Sequence, residues 1–91
     1  MSDVPVPAAV PSLWRLARLD YDAVRQRPVL LYPEGVVFLN ETGAAILELC
    51  DGRRTIEEIA AILGARYEAE VGPDVAEYIG DLARRELVDV A

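Results

Sequence analysis

The stretch from Leu30 to Gly52, LLYPEGVVFLNETGAAILELCDG, leaves no room for a long connection. It must hold a hairpin, a helix start and a buried helix in immediate succession. Leu30, Leu31 and Tyr32 are apolar or aromatic and suit a half-buried strand. Pro33-Glu34-Gly35 reads as a three-residue hairpin loop, with Pro33 presetting φ and Gly35 supplying the positive φ that closes it. Val36, Val37, Phe38 and Leu39 return as the partner strand. Asn40 is a preferred N-cap, because its side-chain oxygen accepts from the free N–H groups of a first helical turn. Gly43, Ile46, Leu47 and Cys50 follow at i, i+3, i+4 and i+7, which is a single helical face. Asp51-Gly52 is expected to end that helix, with Gly52 in the left-handed conformation of a C-terminal cap.

The flanking segments extend this unit on both sides. Residues 1–11 carry Pro5, Pro7 and Pro11 among small residues. Proline lacks a donor N–H and resists both helix and central strand, so a mobile tail is expected there, with the folded domain spanning 12–91. From Arg15 to Tyr21 the pattern alternates, with Ala17, Leu19 and Tyr21 on one face. Period two predicts a first strand, looped back through Asp22 to Pro28 into the strand that follows. Beyond the first helix, Thr55 and Glu58 form a capping box, and Ile56, Ile59, Ala60 and Leu63 repeat the helical face. A third helix runs from a cap near Asp74 to about Glu86, with Val75, Ile79 and Leu82 as its core stripe and Tyr78 and Arg85 beside it. Leu87 to Ala91 is a short apolar tail able to fold back as an extended segment. The sum is an α+β domain, winged helix-turn-helix-like, with a three-stranded antiparallel sheet followed by three helices.

Composition narrows the function classes. Ninety-one residues bury only about 60–65% of their unfolded surface and hold one small core. The net charge of -7 repels nucleic-acid phosphates and anionic membranes. No apolar run reaches the ~18 residues a membrane helix needs, and no secretory signal is visible. With a single cysteine no internal disulfide forms, and a cytoplasmic protein is expected. Histidine is absent, which removes the commonest general base and metal ligand together.

Few residues invite chemistry. Cys50 is the one thiol, but it lies on the apolar stripe of the first helix with no histidine to activate it, so it reads as core. The acidic residues are scattered through caps and linkers, and neither a phosphate loop nor a Cys/His cluster occurs. A non-catalytic protein without a metal or cofactor is expected. Arg85 and Tyr78 read either as the end of a helix dipole and the rim of a core, or as the wall of a groove for an acidic peptide. Val36 to Leu39 stands apart. In a meander it is an edge strand, and it carries neither the charge nor the proline that usually blunts such edges. Either the protein's own chain covers it or an extended peptide adds to it as a fourth strand.

The order and spacing of Leu30-Leu31-Tyr32-Pro33-Glu34-Gly35, Leu39-Asn40 and Ile46 to Gly52 resembles the PqqD family. The likeness continues through Thr55 to Ile59, Tyr67 and Asp74-Val75, from roughly Leu13 to Val88. Similar sequences often carry glycine where Glu86 stands. The resemblance implies a winged-helix-like peptide chaperone, or RiPP recognition element, of pyrroloquinoline quinone (PQQ) biosynthesis. Such a protein binds the ribosomally made precursor peptide and presents it to a radical S-adenosylmethionine enzyme. In the family, the peptide lies along the third strand beside the third helix. That implies a peptide site formed by Val36, Val37, Phe38, Leu39, Tyr78, Leu82 and Arg85. Two other readings are compatible with the chain: a leader-binding domain of another peptide-modifying pathway, and a winged-helix DNA-binding protein. The acidic third helix weighs against the latter.

Overall fold

Residues 4–91 are described by a computed structural model. The elements run β1 (Pro11–Leu13), β2 (Arg18–Asp22), β3 (Arg27–Tyr32), β4 (Gly35–Phe38), α1 (Glu41–Glu48), α2 (Ile56–Tyr67), α3 (Gly72–Arg84) and β5 (Val88–Val90). The sheet β2-β3-β4 is an antiparallel meander, and β1 and β5 form a separate antiparallel pair. This is the α+β arrangement expected from the pattern, with the small second sheet added.

The core lies between the inner face of the meander and the helices. Leu30, Leu39, Leu47, Ile59, Leu63, Val75 and Ile79 are almost wholly inaccessible. The anticipated helical stripes are buried, with Ala60 only partly so: Gly43, Ile46, Leu47 and Cys50, then Ile56, Ile59, Ala60 and Leu63, then Val75, Ile79 and Leu82. Two helix starts follow from local chemistry. Asn40 accepts from the Gly43 N–H at 2.7 Å. Thr55 and Glu58 close the capping box in both directions, at 3.1 and 2.9 Å.

The N-terminal segment corrects the boundary expected at residue 12. Residues 1–3 lie outside the described residues, but Ala9 and Pro11 are buried. The cause is the start of α2. A helix leaves its first N–H groups without internal partners. The capping box serves Thr55 and Glu58, while the Ile56 and Glu57 N–H groups donate to the carbonyls of Ala9 and Pro7 at 2.9 and 3.0 Å. Prolines that cannot donate still accept, and the segment is held through its carbonyls.

Four further details depart from expectation. The first long strand is Arg18–Asp22, because the Ala17 N–H closes a turn onto the Trp14 carbonyl at 2.8 Å. The β3–β4 hairpin pairs Tyr32 with Gly35, so Pro33-Glu34 is a two-residue loop, and Gly35 has no positive φ. Its small size serves packing instead: a Cβ there would lie 3.2 Å from Tyr32 Oη. Helix α1 ends at Glu48 with Leu49 as cap, and Gly52 (φ 78) lies in the next turn, where its N–H reaches the Pro11 carbonyl. Helix α3 starts at Gly72 with Pro73 in its first turn, so Asp74 lies inside the helix and does not cap it. The helix stops at Arg84 because Glu86 turns left-handed (φ 61) and the Leu87 N–H reaches back to the Leu82 carbonyl. Glycine is the usual residue for that conformation.

Candidate peptide-binding edge

The register of β4 decides what its edge offers. The Leu39 N–H donates to the Pro28 carbonyl at 2.9 Å, so Pro28 and Leu39 are a hydrogen-bonded pair. Hydrogen-bonded and open pairs alternate along an antiparallel ladder. Leu30 with Val37 and Tyr32 with Gly35 therefore bond inward, while Val36 and Phe38 turn their N–H and C=O groups away from β3. Among the described residues no strand pairs with that side of β4. Val36 and Phe38 are also 40% and 42% exposed, whereas Val37 packs against the core.

Pro28 has a second consequence. It lacks the N–H that would complete its pair with Leu39. The Leu39 carbonyl instead accepts from Nε and Nη2 of Arg27 at 3.2 and 3.1 Å. That fixes the guanidinium beside Phe38, and the Arg27 and Arg25 Cζ atoms lie 5.5 and 5.2 Å from the ring centre.

Helix α3 packs on α1, α2 and β5, and two residues at its inner turn and its end bear on the groups that flank β4 in the chain. Tyr78 sits on the first turn of α1, directly after β4, so closely that a Cβ on Gly43 would lie 2.5 Å from its hydroxyl. Burial raises the Tyr78 pKa, and the nearby Arg85 charge acts against that shift. At the far end of the helix, Arg85 lines a cavity of about 500 Å³ with Trp14, Tyr32 and Glu34 at the hairpin tip. Tyr78 thus stands by α1, which follows β4, and Arg85 by the hairpin tip, which precedes it.

Of the residues expected at the site, Val36 and Phe38 lie on the open edge, Tyr78 is half-buried against α1, and Arg85 lies in the cavity at the hairpin tip. Val37 faces inward. Leu39 and Leu82 are corrected to core positions, 2% and 4% exposed, so their side chains are out of reach of a ligand. Sequence reasoning missed Arg25, Arg27, Trp14, Tyr32 and the packing role of Gly43. One signal was present: a proline inside a paired strand orphans a carbonyl, and Arg27 adjoins Pro28.

Cys50 fits its reading as core. Its Sγ donates to the Ile46 carbonyl at 3.3 Å, and burial, helped by the adjacent Asp51 charge, pushes its pKa up to about 12. A thiol so disposed stays protonated and is a poor nucleophile. Among the described residues no group of three or more His, Cys, Asp or Glu side chains is placed to hold a metal ion, and no helix is long and apolar enough to cross a membrane.

The family model for coenzyme PQQ synthesis protein D (PqqD) matches residues 28–88, which contain all of β3 but its first residue, β4 and all three helices. The chain belongs to the PqqD family. A PqqA binding protein of Methylococcus capsulatus is 45% identical over 74 residues, covering 80% of each chain. The bifunctional coenzyme PQQ synthesis protein C/D of Methylorubrum extorquens is 39% identical over 88% of this chain, which spans 22% of that larger protein. The solution NMR structure of the PqqD truncation of Methylobacterium extorquens PqqCD, described as a functional, stand-alone RiPP recognition element, superposes with a TM-score of 0.80. The two are 35% identical and cover 98% and 99% of each other. The PqqD fold therefore extends beyond the matched segment, to β2 and the β1–β5 pair.

Proposed function

We propose that this PqqD-family domain is a non-catalytic chaperone that binds the PQQ precursor peptide PqqA as a strand added to β4. The observation that carries the reading is the open edge, where Val36 and Phe38 present main-chain donors and acceptors with no strand of the described residues beside them. Backbone pairing supplies affinity, and Tyr78 and Arg85 supply selectivity. The domain then presents the peptide to a radical S-adenosylmethionine enzyme, which cross-links a glutamate and a tyrosine in it. No cofactor is needed for holding a peptide, and the buried thiol of Cys50 has no part in it. We place this work in the cytoplasm, since the lone cysteine forms no stabilising disulfide.

The names of the relatives favour PQQ over another peptide-modifying pathway. DNA binding is disfavoured by charge: α3 carries Asp74, Glu77 and Asp81 against Arg84.

Amide hydrogen exchange tests the proposal. In the free domain the Val36 and Phe38 amides should exchange quickly and that of Val37 slowly. Saturating PqqA should protect the first two. Unchanged exchange at Val36 and Phe38 in a domain shown by calorimetry to be loaded would end the strand-addition reading.

A further inference from the structure

The two ends of the open edge place their cations differently. At the hairpin tip, Arg85 shares its cavity with Glu34, Glu86 and Asp89, which leaves that end net negative. At the other end two guanidiniums converge on one ring, that of Phe38. Each is held there by a separate device. Arg27 is anchored on the carbonyl that Pro28 leaves unpaired. Arg25 is anchored in the β2–β3 turn by Asp22, whose carboxylate accepts from Arg25 Nη1 at 3.1 Å and from the Val24 and Arg25 N–H groups at 3.0 and 3.1 Å. Asp22 pairs with Arg25 directly, Asp20 lines the same groove beside Phe38, and Glu41 and Glu48 line the cavity that Arg25 and Arg27 share with Arg66, so what sets this end apart is that its two guanidiniums lie against the edge residue itself. Nη1 of Arg27 and Nη2 of Arg25 take no part in these bonds.

The register connects this charge to a ligand. Because Phe38 directs its N–H and C=O outward, a strand added to β4 places one residue directly opposite it. Paired residues project to the same face of a sheet with Cβ atoms about 5 Å apart. That residue's side chain is delivered beside the Phe38 ring, within reach of both guanidiniums. Guanidinium N–H groups pair best with carboxylates.

We propose that the position opposite Phe38 takes an aspartate or glutamate of the bound peptide, recognised by Arg25 and Arg27. This rests on the strand-addition reading and adds a register and a charge requirement to it. It also moves recognition of an acidic side chain from Arg85, which stands among carboxylates, to the opposite end of the edge.

The test is calorimetric titration of synthetic PqqA and of peptides in which each Asp or Glu is exchanged in turn for its amide. Arg25→Gln should weaken unmodified PqqA about fivefold, the upper range for an exposed ion pair. Arg53→Gln, in the remote turn before α2, should change it by less than about twofold. One amide peptide should bind the unaltered domain correspondingly weakly and be indifferent to Arg25→Gln. If every amide peptide still responds to Arg25→Gln as PqqA does, only bulk charge matters and the proposal falls. If Arg25→Gln has no effect while a folded Val36→Pro variant loses PqqA, strand addition stands and the acidic position does not. If Val36→Pro binds PqqA normally, the strand-addition reading falls and this inference with it.

Discussion

The meander has two edges, β2 and β4, and they are finished differently. In β2, three of five residues are charged: Arg18, Asp20 and Asp22. Its pairing with β3 alternates with that of β4, so Leu19 and Tyr21 direct their N–H groups outward. The Tyr21 N–H is already taken, by Asp20 Oδ1 at 2.7 Å. Charge on the edge and a side chain over a free donor are common devices against unwanted strand pairing. In β4, Gly35-Val36-Val37-Phe38, there is no charge and no such cover. One sheet of a single small domain is thus blunted on one side and left receptive on the other. An unprotected edge is a hazard unless something is meant to pair with it, and under the proposed strand addition the contrast with β2 singles out β4 as the side that takes the peptide.

The largest expected effect comes from proline along β4. Val37→Pro removes an inward ladder bond to Leu30, so the fold should lose about 1–3 kcal/mol or more, read by chemical denaturation. Val36→Pro removes an outward donor instead. It should stay folded by circular dichroism and lose PqqA at least about tenfold, or roughly 1.4 kcal/mol. Val36→Ala keeps the N–H and should retain most of the binding. Tyr21→Pro, also outward but on β2, should leave PqqA affinity within about twofold. Equal losses from proline on both edges would break the comparison.

Next in size is the contact of Tyr78 with α1. Gly43→Ala forces a Cβ to within 2.5 Å of the Tyr78 hydroxyl and 2.9 Å of Cζ, so the ring must move. The cost should be about 1–3 kcal/mol in stability, as for overpacking, with weaker PqqA binding. Adding Tyr78→Phe should recover part of the stability, because the nearer of the two clashes is with the hydroxyl. A Gly43→Ala variant that is fully stable and binds normally would show that Tyr78 does not set the groove.

Cys50, buried just past the end of α1, belongs to neither edge strand and serves as the internal control. Cys50→Ala should cost roughly 1 kcal/mol as a small buried side chain and leave PqqA affinity within a few-fold. In the folded domain at pH 8 the thiol should resist an aromatic disulfide reagent, since its pKa of about 12 keeps it protonated, and should react on unfolding. Rapid labelling of the folded protein would contradict its burial.

The smallest expected effect tests the blunted edge directly. Arg18 and Asp20 form an exposed ion pair at 3.8 Å, so their joint replacement by valine should change stability little. It should instead make β2 receptive, seen as weak, concentration-dependent self-association by sedimentation. A double variant that stays monomeric at millimolar concentration would mean that charge does not protect this edge.

What the sequence by itself determined is local or periodic. The hairpin into α1, the Asn40 cap, the Thr55–Glu58 box and the three helical stripes depend on neighbours within a turn or two, and all are legible in order. Residues 1–11 read as a tail because their prolines lack a donor; packing alone shows the Pro7 and Ala9 carbonyls meeting the bare N–H groups of α2. Leu39 and Leu82 read as site residues from their position in strand and helix, and only packing turned them inward. The charge at the Phe38 end was likewise hidden. Arg27 is one more surface arginine until Pro28 orphans the Leu39 carbonyl 12 positions along the chain and draws the guanidinium to it. Capping and periodicity act over a few residues and leave a trace in one sequence. Which carbonyl lacks a partner, and which cation answers it, is decided only when distant segments are brought within 3 Å or so of each other.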